Sequence, residues 1–589
     1  MLLVNDGLTS GCARCGGFPA VLPEASGAGA VGVEVDAIPK GIDSTPFGYI
    51  VHAVKSDLFA RTSARVWRLV AVAVGLIAVG AIVSTYDVFS NMYDEPAHIA
   101  AGMEWLAHGS YTYEPQHPPL SRVLAALGPY LAGERGTGNW RGQMYEEGRR
   151  ILGEGEHYRR TLARARSGAI PLFLILLATT WFWARRVADE RTAAIAAFFA
   201  ASNPNLLAHA GVAGTDMGPA ALMPAALLAW SMWLERPALA RTVALGVIVA
   251  LCGLTKFNGI AYLAPAAIGV GALASSGRVR ATWTGLRIRS LAIAVVVALL
   301  VTWAMYRFSV GRLGGHTVPA PEFFQGLGAF FRHGSGGHPS YLFGRVKLDG
   351  WWYYDVVAVL VKTPIPLLLL GALGAWLVTR ELRVLRRGED VPPHDHRITE
   401  LGALLLGIVS VMGVASATPV DIGVRLDLAI YPMLAVLAAM GFVWAWERAG
   451  RASTRFAVAA LLGWSVLEVA AAHPDHLAYF NQLAGPEPER VLVDSNLDWG
   501  QDLYRLRDAA DDLKIDSLRV HYFGSAEFAA VGLARTRRLR PNERATGWVA
   551  ASETFYAGVW ADSALNWLHA YQPVARVGKS IRLYYIKPQ

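Results

Sequence analysis

An acidic pair, Asp94-Glu95, stands directly after the first strongly apolar stretch, within YDEPAHIAAGMEWLAHGSYTYEPQHPPL (residues 93–120). Asp is a favoured helix N-cap and Pro96 suits the first turn, so the pair predicts the start of a helix. A carboxylate at a helix N-terminus is stabilised in its ionised form and could take a proton from a hydroxyl group. An ordinary helix cap fits the same residues, so the local sequence leaves both interpretations open.

Two histidines and an arginine follow in the same segment. His98 comes four residues after Asp94 and falls on the same face of the predicted helix. His117 precedes Pro118-Pro119, and Arg122 follows that turn. The histidines could orient the base or the hydroxyl group that it deprotonates, although a simple turn residue is the plainer interpretation of His117.

The composition predicts that these residues lie beside a membrane. Of 589 residues, 53% are hydrophobic and only 17% are charged, which is unusual for a soluble protein. The apolar residues form runs near the length of about 20 that crosses a bilayer. About eleven spans are predicted, at residues 66–84, 169–183, 192–210, 217–233, 242–254, 260–274, 291–305, 356–378, 401–417, 426–446 and 456–472.

The net charge of +8 is concentrated in arginines of alternate short loops between these spans. This pattern argues against nucleic-acid binding. The positive-inside rule places those loops on the cytoplasmic side. We therefore expect a multi-pass protein of the cell membrane with a cytoplasmic N-terminus and an extracytoplasmic C-terminus.

Three regions are predicted along the chain: a disordered cytoplasmic tail (1–60), a membrane domain (61–472) with long outer loops at 87–167 and 307–354, and an extracytoplasmic α/β domain (473–589). The strands expected in the last region are 490–494, 517–523, 548–552, 574–578 and 581–586. Only three cysteines are present, which gives no disulfide framework. No metal ligands are assigned.

Basic side chains stand near the outer ends of several spans. They are Arg166, Lys256, Lys362 and Arg425, and Asp216 stands near them at the predicted outer start of the fourth span. We expect the cations to converge on the outer face, where a lipid-linked phosphate is the natural ligand. Each cation could also simply extend its charge to the lipid headgroups.

Taken together, these motifs resemble the protein O-mannosyltransferase family (glycosyltransferase family 39) and its bacterial relatives, within the GT-C superfamily. The resemblance rests on the Asp94-Glu95…HPPL loop, on GWWYY (350–354) with KTP (362–364), and on DSNLDWGQDL (494–503). Arg122 replaces the lysine of eukaryotic members. In RLDLAIYP (425–432), Asp427 departs from the family's pattern.

The resemblance implies a mainly α-helical, polytopic GT-C fold and a sugar donor carried on a polyprenyl phosphate. It makes Asp94 the catalytic base and Glu95 its neighbour in substrate binding. The other implied substrate-binding residues are His98, His117, Arg122, Arg166, Asp216, Lys256, Lys362 and Arg425. The acceptor is a protein, lipid or glycan, and a divalent metal remains possible.

Two other classes of membrane protein were weighed against a glycosyltransferase. A transporter or lipid flippase would show matching halves with helices broken at the midplane, and the sequence shows no such halves. A sensory or structural membrane protein that binds through its outer domain leaves the Asp94 loop unexplained.

Overall fold

The computed structural model describes residues 62–138, 143–275, 284–387, 396–540, 542–560 and 565–588. The predicted tail 1–60 lies outside the described residues. Helices within the described residues are α1 (Ala64–Val83), α2 (Glu95–His108), α3 (Pro119–Leu131), α4 (Met144–Leu152), α5 (Gly155–Arg166), α6 (Ile170–Val187), α7 (Glu190–Ala201), α8 (Pro204–Ala210), α9 (Met217–Glu235), α10 (Leu239–Thr255), α11 (Phe257–Ser275), α12 (Gly285–Met305), α13 (Pro321–Ser335), α14 (Tyr354–Lys362), α15 (Ile365–Arg387), α16 (His396–Ala415), α17 (Ile430–Arg448), α18 (Ala452–Ala472), α19 (Leu503–Asp512) and α20 (Glu553–Tyr556).

Across the described ranges, nine helices are long and apolar enough to cross a membrane, which confirms a polytopic, mainly helical fold. In α9 and α17 more than 70% of the apolar window is buried, whereas in α1, α12 and α18 less than 20% is buried. The first two are therefore central. The other three present Leu, Val and Ile side chains outward, as a lipid-facing helix does.

The count falls below eleven at two places. The span predicted at 192–210 is divided into α7 and α8, because Pro204 has no N–H group and the Asn203 side chain caps α8 by accepting from the N–H groups of Asn205 and Leu206. The second difference is α10, an apolar helix of only 17 residues.

The span predicted at 356–378 is also divided, between Lys362 at the end of α14 and Ile365 at the start of α15. Pro364 interrupts the backbone hydrogen bonds here. The Asn481 amide donates to the carbonyls of Leu360 and Thr363, both at 2.6 Å, and so satisfies groups that the break leaves free.

The two long loops carry their own structure. Helices α2 to α5 follow α1, and α5 runs through a short 3₁₀ turn into α6. The second loop contains α13 and two antiparallel hairpins, β1 (Val310–Leu313) with β2 (His316–Pro319), and β3 (Ser340–Leu342) with β4 (Arg345–Lys347).

The C-terminal region contains a mixed five-stranded sheet of order β6-β5-β7-β9-β8. Its strands are β5 (Leu518–His521), β6 (Thr536–Arg538), β7 (Gly547–Ser552), β8 (Ala575–Val577) and β9 (Ile581–Ile586). The pair β5–β7 is parallel and β7–β9 is antiparallel. Alternate residues face opposite sides: Ala550 and Leu583 pack toward α19, whereas Val549 and Tyr584 belong to a second buried cluster.

The prediction of a strand at 490–494 is wrong, because short 3₁₀ turns form at both ends of this stretch instead. Asp494 adopts a left-handed φ of 56°, which a strand cannot contain. The next two side chains, Ser495 and Asn496, bond to the backbone of residues 422–424. Side-chain hydrogen bonds to another loop thus replace the expected strand pairing.

Candidate active site

Asp94 immediately precedes α2, as predicted, but it does not act as a helix cap. Its side chain makes no capping hydrogen bond. Instead, Arg425 Nη1 donates to Asp94 Oδ2 at 3.1 Å, and the Tyr145 hydroxyl donates to Asp94 Oδ1 at 3.3 Å. Since the side chain of Asp94 stays 27% exposed, an incoming molecule can still reach this carboxylate.

Tyr145 reaches Asp94 because α4 packs very closely on α2. A Cβ atom at Gly148 would lie 1.9 Å from the Pro96 carbonyl oxygen, so only glycine permits this approach. The Tyr145 ring also meets Tyr93 edge to face, with a centroid separation of 5.5 Å. The helix contact therefore places a hydroxyl donor on Asp94.

A second carboxylate, Asp216, lies beside the first at the start of α9. Lys256 Nζ donates to Asp216 Oδ1 at 2.6 Å, and Arg425 Nη1 lies 4.0 Å from Asp216 Oδ2. His209 Nδ1 is 3.8 Å from the same oxygen. Arg425 thus stands between two carboxylates. Arg425 and Lys256 with Asp94 and Asp216 form a cluster of two positive and two negative groups.

The cations keep both carboxylates ionised. Burial would raise the pKa of Asp94, but the charge of Arg425 and its hydrogen bond hold that pKa below its usual value. Burial would also raise the pKa of Asp216. The charges of Lys256 and Arg425 outweigh this effect and lower that pKa. A base that is ionised and partly open to solvent suits proton abstraction.

Arg425 retains an unused donor. Its guanidinium lies over the Trp499 ring, 4.5 Å from the ring centre, and its buried Nε has no hydrogen-bond partner among the described residues. A cavity beside it is lined by Asp216, Lys256 and Tyr262 as well as Arg425. An anionic oxygen in this small cavity would lie beside the guanidinium and the Lys256 ammonium, both of which can donate to it.

Glu95 and Arg166 form a separate, fully buried ion pair beneath Asp94. Arg166 Nη2 lies 2.9 Å from Glu95 Oε2, and each side chain is 1% exposed. Glu95 also accepts from the N–H group of Ala213, and Arg166 donates to three backbone carbonyls of residues 86–90. These contacts fix the loop that carries Asp94.

Glu95→Gln is expected to lower the free energy of unfolding by about 3–5 kcal/mol, because it leaves the Arg166 charge buried without its partner. Thermal unfolding of the purified protein in detergent measures the effect. The matched control is Glu146→Gln, which removes a half-exposed partner of Arg149 and should cost about 1 kcal/mol or less. Equal melting temperatures for the two variants would contradict this role of Glu95.

Arg122 and His98 are buried next to Asp94, and the half-buried His117 packs against His98. Arg122 donates through Nε to His98 Nδ1 at 3.1 Å and through Nη1 to the Tyr111 hydroxyl, and it pairs with Glu114. The rings of His98 and His117 meet edge to face at 5.7 Å. Burial, with the Arg122 charge, lowers the pKa of His98 to about 3 and that of His117 well below its usual value. Both rings are therefore neutral near pH 7.

Lys362 does not join the other cations. Its buried Nζ donates to the carbonyls of Leu477 and Asn496, at 2.7 and 2.6 Å, and lies over the Phe480 ring. The structure thus brings Lys256 and Arg425 together, whereas Arg166 and Lys362 make their contacts elsewhere.

Lys362→Met is expected to destabilise the fold by about 2–4 kcal/mol, because two buried carbonyls lose a charged donor. Thermal unfolding measures this, with Lys347→Met as the control, since Lys347 is exposed and lies near the Trp351 ring. An unchanged melting temperature together with weaker binding of a lipid phosphate would instead support the predicted phosphate-binding role.

Asp427, the departure from the family's pattern, faces Asp355 on α14. Both side chains are buried, and none of their four oxygens accepts a hydrogen bond from the residues described. Within the described ranges, no group of three or more His, Cys, Asp or Glu residues could hold a metal ion.

Three site residues were not predicted from the sequence. Tyr145 is a single tyrosine in a highly charged segment, and no local pattern distinguishes it. Trp499 lies in DSNLDWGQDL (494–503), a stretch to which the sequence assigns no binding role. His209 precedes Asp216 by seven residues across an irregular stretch, so helical spacing does not connect them.

Residues 72–312 match the family described as dolichyl-phosphate-mannose-protein mannosyltransferase. A search of curated proteins finds no match. Among solved structures, ArnT from Cupriavidus metallidurans in the apo state is 15% identical, with 90% of this chain and 100% of that chain covered and a TM-score of 0.46. The oligosaccharyltransferase of Archaeoglobus fulgidus with zinc and sulfate is 14% identical, with 86% and 71% covered and a TM-score of 0.44.

The family match covers α2 to α12 and includes Asp94, Asp216 and Lys256. It favours an enzyme over a transporter or a binding protein. Residues 72–312 of this chain are thus similar to the protein mannosyltransferase family, and the protein is a membrane glycosyltransferase.

Proposed function

We propose that this protein transfers a sugar from a polyprenyl-phosphate donor to a hydroxyl acceptor, with Asp94 as the general base. The observation that carries the proposal is the contact of Asp94 with Arg425, which also lines a small cavity together with Lys256. One guanidinium thus contacts the candidate proton acceptor and lines a cavity that holds a second cation.

The reaction is a single displacement. The acceptor hydroxyl gives its proton to Asp94 while its oxygen attacks the anomeric carbon of the donor sugar. The bond between that carbon and the phosphate oxygen breaks, and its electron pair stays on the phosphate. The configuration at the anomeric carbon inverts. Arg425 and Lys256 stabilise the charge on the departing polyprenyl phosphate, an effect worth about 3 kcal/mol per donor in comparable sites.

The finer assignments follow from the family. Its description names a dolichyl-phosphate mannose donor and a protein acceptor, so mannose on a polyprenyl phosphate is the first donor to try. Protein, lipid and glycan hydroxyls are all acceptor candidates. The arginine-rich loops support a cytoplasmic N-terminus and chemistry on the outer face of the cell membrane.

The proposal is tested by donor consumption. Purified protein is supplied with a panel of polyprenyl-phosphate hexoses and a membrane extract as the acceptor source, and the release of free polyprenyl phosphate is followed. We expect release with at least one donor. Folded protein that releases no polyprenyl phosphate from any of the panel would overturn the proposal.

A further inference from the structure

The turn Asp494–Trp499 is anchored to the loop that carries Arg425. The N–H group of Val424 donates to Asn496 Oδ1 at 3.0 Å, and Ser495 Oγ donates to the Ile422 carbonyl. Gly423 has a φ of +123°, and a Cβ atom there would lie 2.8 Å from Ser495 Oγ. Because the loops interlock this closely, the position of the turn relative to Arg425 is fixed.

This anchoring brings a third carboxylate, Asp494, to the site. Asp494 is 8% exposed and holds a left-handed φ of 56°, a conformation that non-glycine residues rarely adopt. Its Oδ1 accepts the Ser495 N–H group at 2.6 Å. Burial raises the pKa of Asp494 to about 6 against the lowering effect of Arg425, and Asp94 also acts on it. Trp499, at the other end of the same turn, lies 4.5 Å from the Arg425 guanidinium, so Asp494 belongs to a turn that contacts the partner of Asp94.

An indole ring stands beside this carboxylate. Val493 and Val559, the chain neighbours of Asp494 and Trp560, lie in one buried cluster, which places Trp560 near Asp494, and 52% of Trp560 is exposed. Its ring meets His338 of the second outer loop edge to face, with a centroid separation of 4.6 Å. A buried carboxylate next to a half-exposed aromatic face is suited to a sugar ring, since the carboxylate accepts hydroxyl hydrogen bonds and the indole packs on the C–H face.

We propose that Asp494 and Trp560 bind the sugar of the donor, with the Asp494 carboxylate accepting a hydrogen bond from a sugar hydroxyl. The displacement described above uses neither residue. The inference rests on the proposed function, because the phosphate held near Arg425 would direct the attached sugar toward Asp94 and Asp494. The C-terminal region thereby contributes to sugar selection.

The test compares two lipids that differ only by the sugar: a polyprenyl monophosphate and the same lipid carrying a hexose. Affinities are measured for the wild type, Asp494→Asn and Trp560→Leu, with Asp516→Asn as the control because Asp516 is fully solvent-facing. We expect Asp494→Asn to lose about tenfold or more in affinity for the sugar lipid, as for one lost hydrogen bond to a charged group, and Trp560→Leu to lose a comparable factor because the flat face for the sugar ring is gone. Affinity for the bare monophosphate should stay at the wild-type value, and the control should match the wild type with both lipids.

A second measurement uses donors that lack single hydroxyl groups. The wild type should discriminate strongly against one deoxy sugar, and Asp494→Asn should lose most of that discrimination. Equal losses for both lipids would mean that the variants only disturb Arg425 and would overturn the inference. Unchanged affinities would also overturn it. If the wild type binds neither lipid, the proposed function itself fails, and this inference fails with it.

Discussion

Asp94→Asn is expected to lower the turnover number for sugar transfer by about 100- to 10,000-fold, the usual contribution of a general base. The amide keeps the shape of the side chain, its oxygen can still accept from Arg425 and its NH2 group can donate to the Tyr145 hydroxyl oxygen, but it cannot take a proton. Donor affinity should change little, because the proposed phosphate contacts come from Arg425 and Lys256. The release of polyprenyl phosphate under saturating donor measures the loss.

The matched control for this variant is Asp87→Asn. Asp87 is an exposed carboxylate that follows α1 in the same outer loop, so the substitution is chemically identical and should leave turnover unchanged. Near-wild-type turnover by Asp94→Asn would rule out Asp94 as the base.

Arg425→Gln is expected to reduce kcat/KM by about 100- to 1,000-fold, because an aligned donor to the developing phosphate charge is lost. The substitution should also change the pH profile. The proposed base Asp94 accepts a proton only when ionised, and Arg425 lowers its pKa, so we expect activity of the wild type to fall only as the pH drops below the usual Asp range. Without Arg425, burial acts unopposed by that charge, and the acid limb of the profile should move to higher pH.

Arg448→Gln is the control for Arg425. Arg448 stacks on Trp444 at 4.7 Å, close to the 4.5 Å between Arg425 and Trp499, but it lies at the far end of α17 from the site. Its loss should leave kcat/KM and the acid limb unchanged. If Arg425→Gln lost activity with an unmoved acid limb, Arg425 would not control the ionisation of Asp94.

The local sequence predicts elements better than contacts. The apolar runs predict the long helices because the length of each run alone is enough to recognise a membrane span. The broken helices are harder to predict, because the breaks depend on Asn203 and on Asn481, a residue far along the chain that pairs with the free carbonyls beside Pro364.

The same limit applies to the site. Asp94 is recognisable from its neighbours, but its partner Arg425 is 331 residues away, and only the fold brings them together. Buried cations such as Lys362 can be recognised in the sequence, whereas the carbonyls that satisfy them cannot. Four cations were expected to meet at one site. Two of them, Arg166 and Lys362, instead bond to a buried carboxylate and to backbone carbonyls.

The anchoring of residues 494–499 has a consequence for biosynthesis. Ser90 and Tyr93 of the first outer loop donate their N–H groups to Gln501 and Trp499, so the segment next to the base is braced by residues near the other end of the chain. A ribosome-bound chain that has inserted all its membrane helices still lacks this brace. Transfer activity should thus arise only after residues 499–501 have folded against the first outer loop.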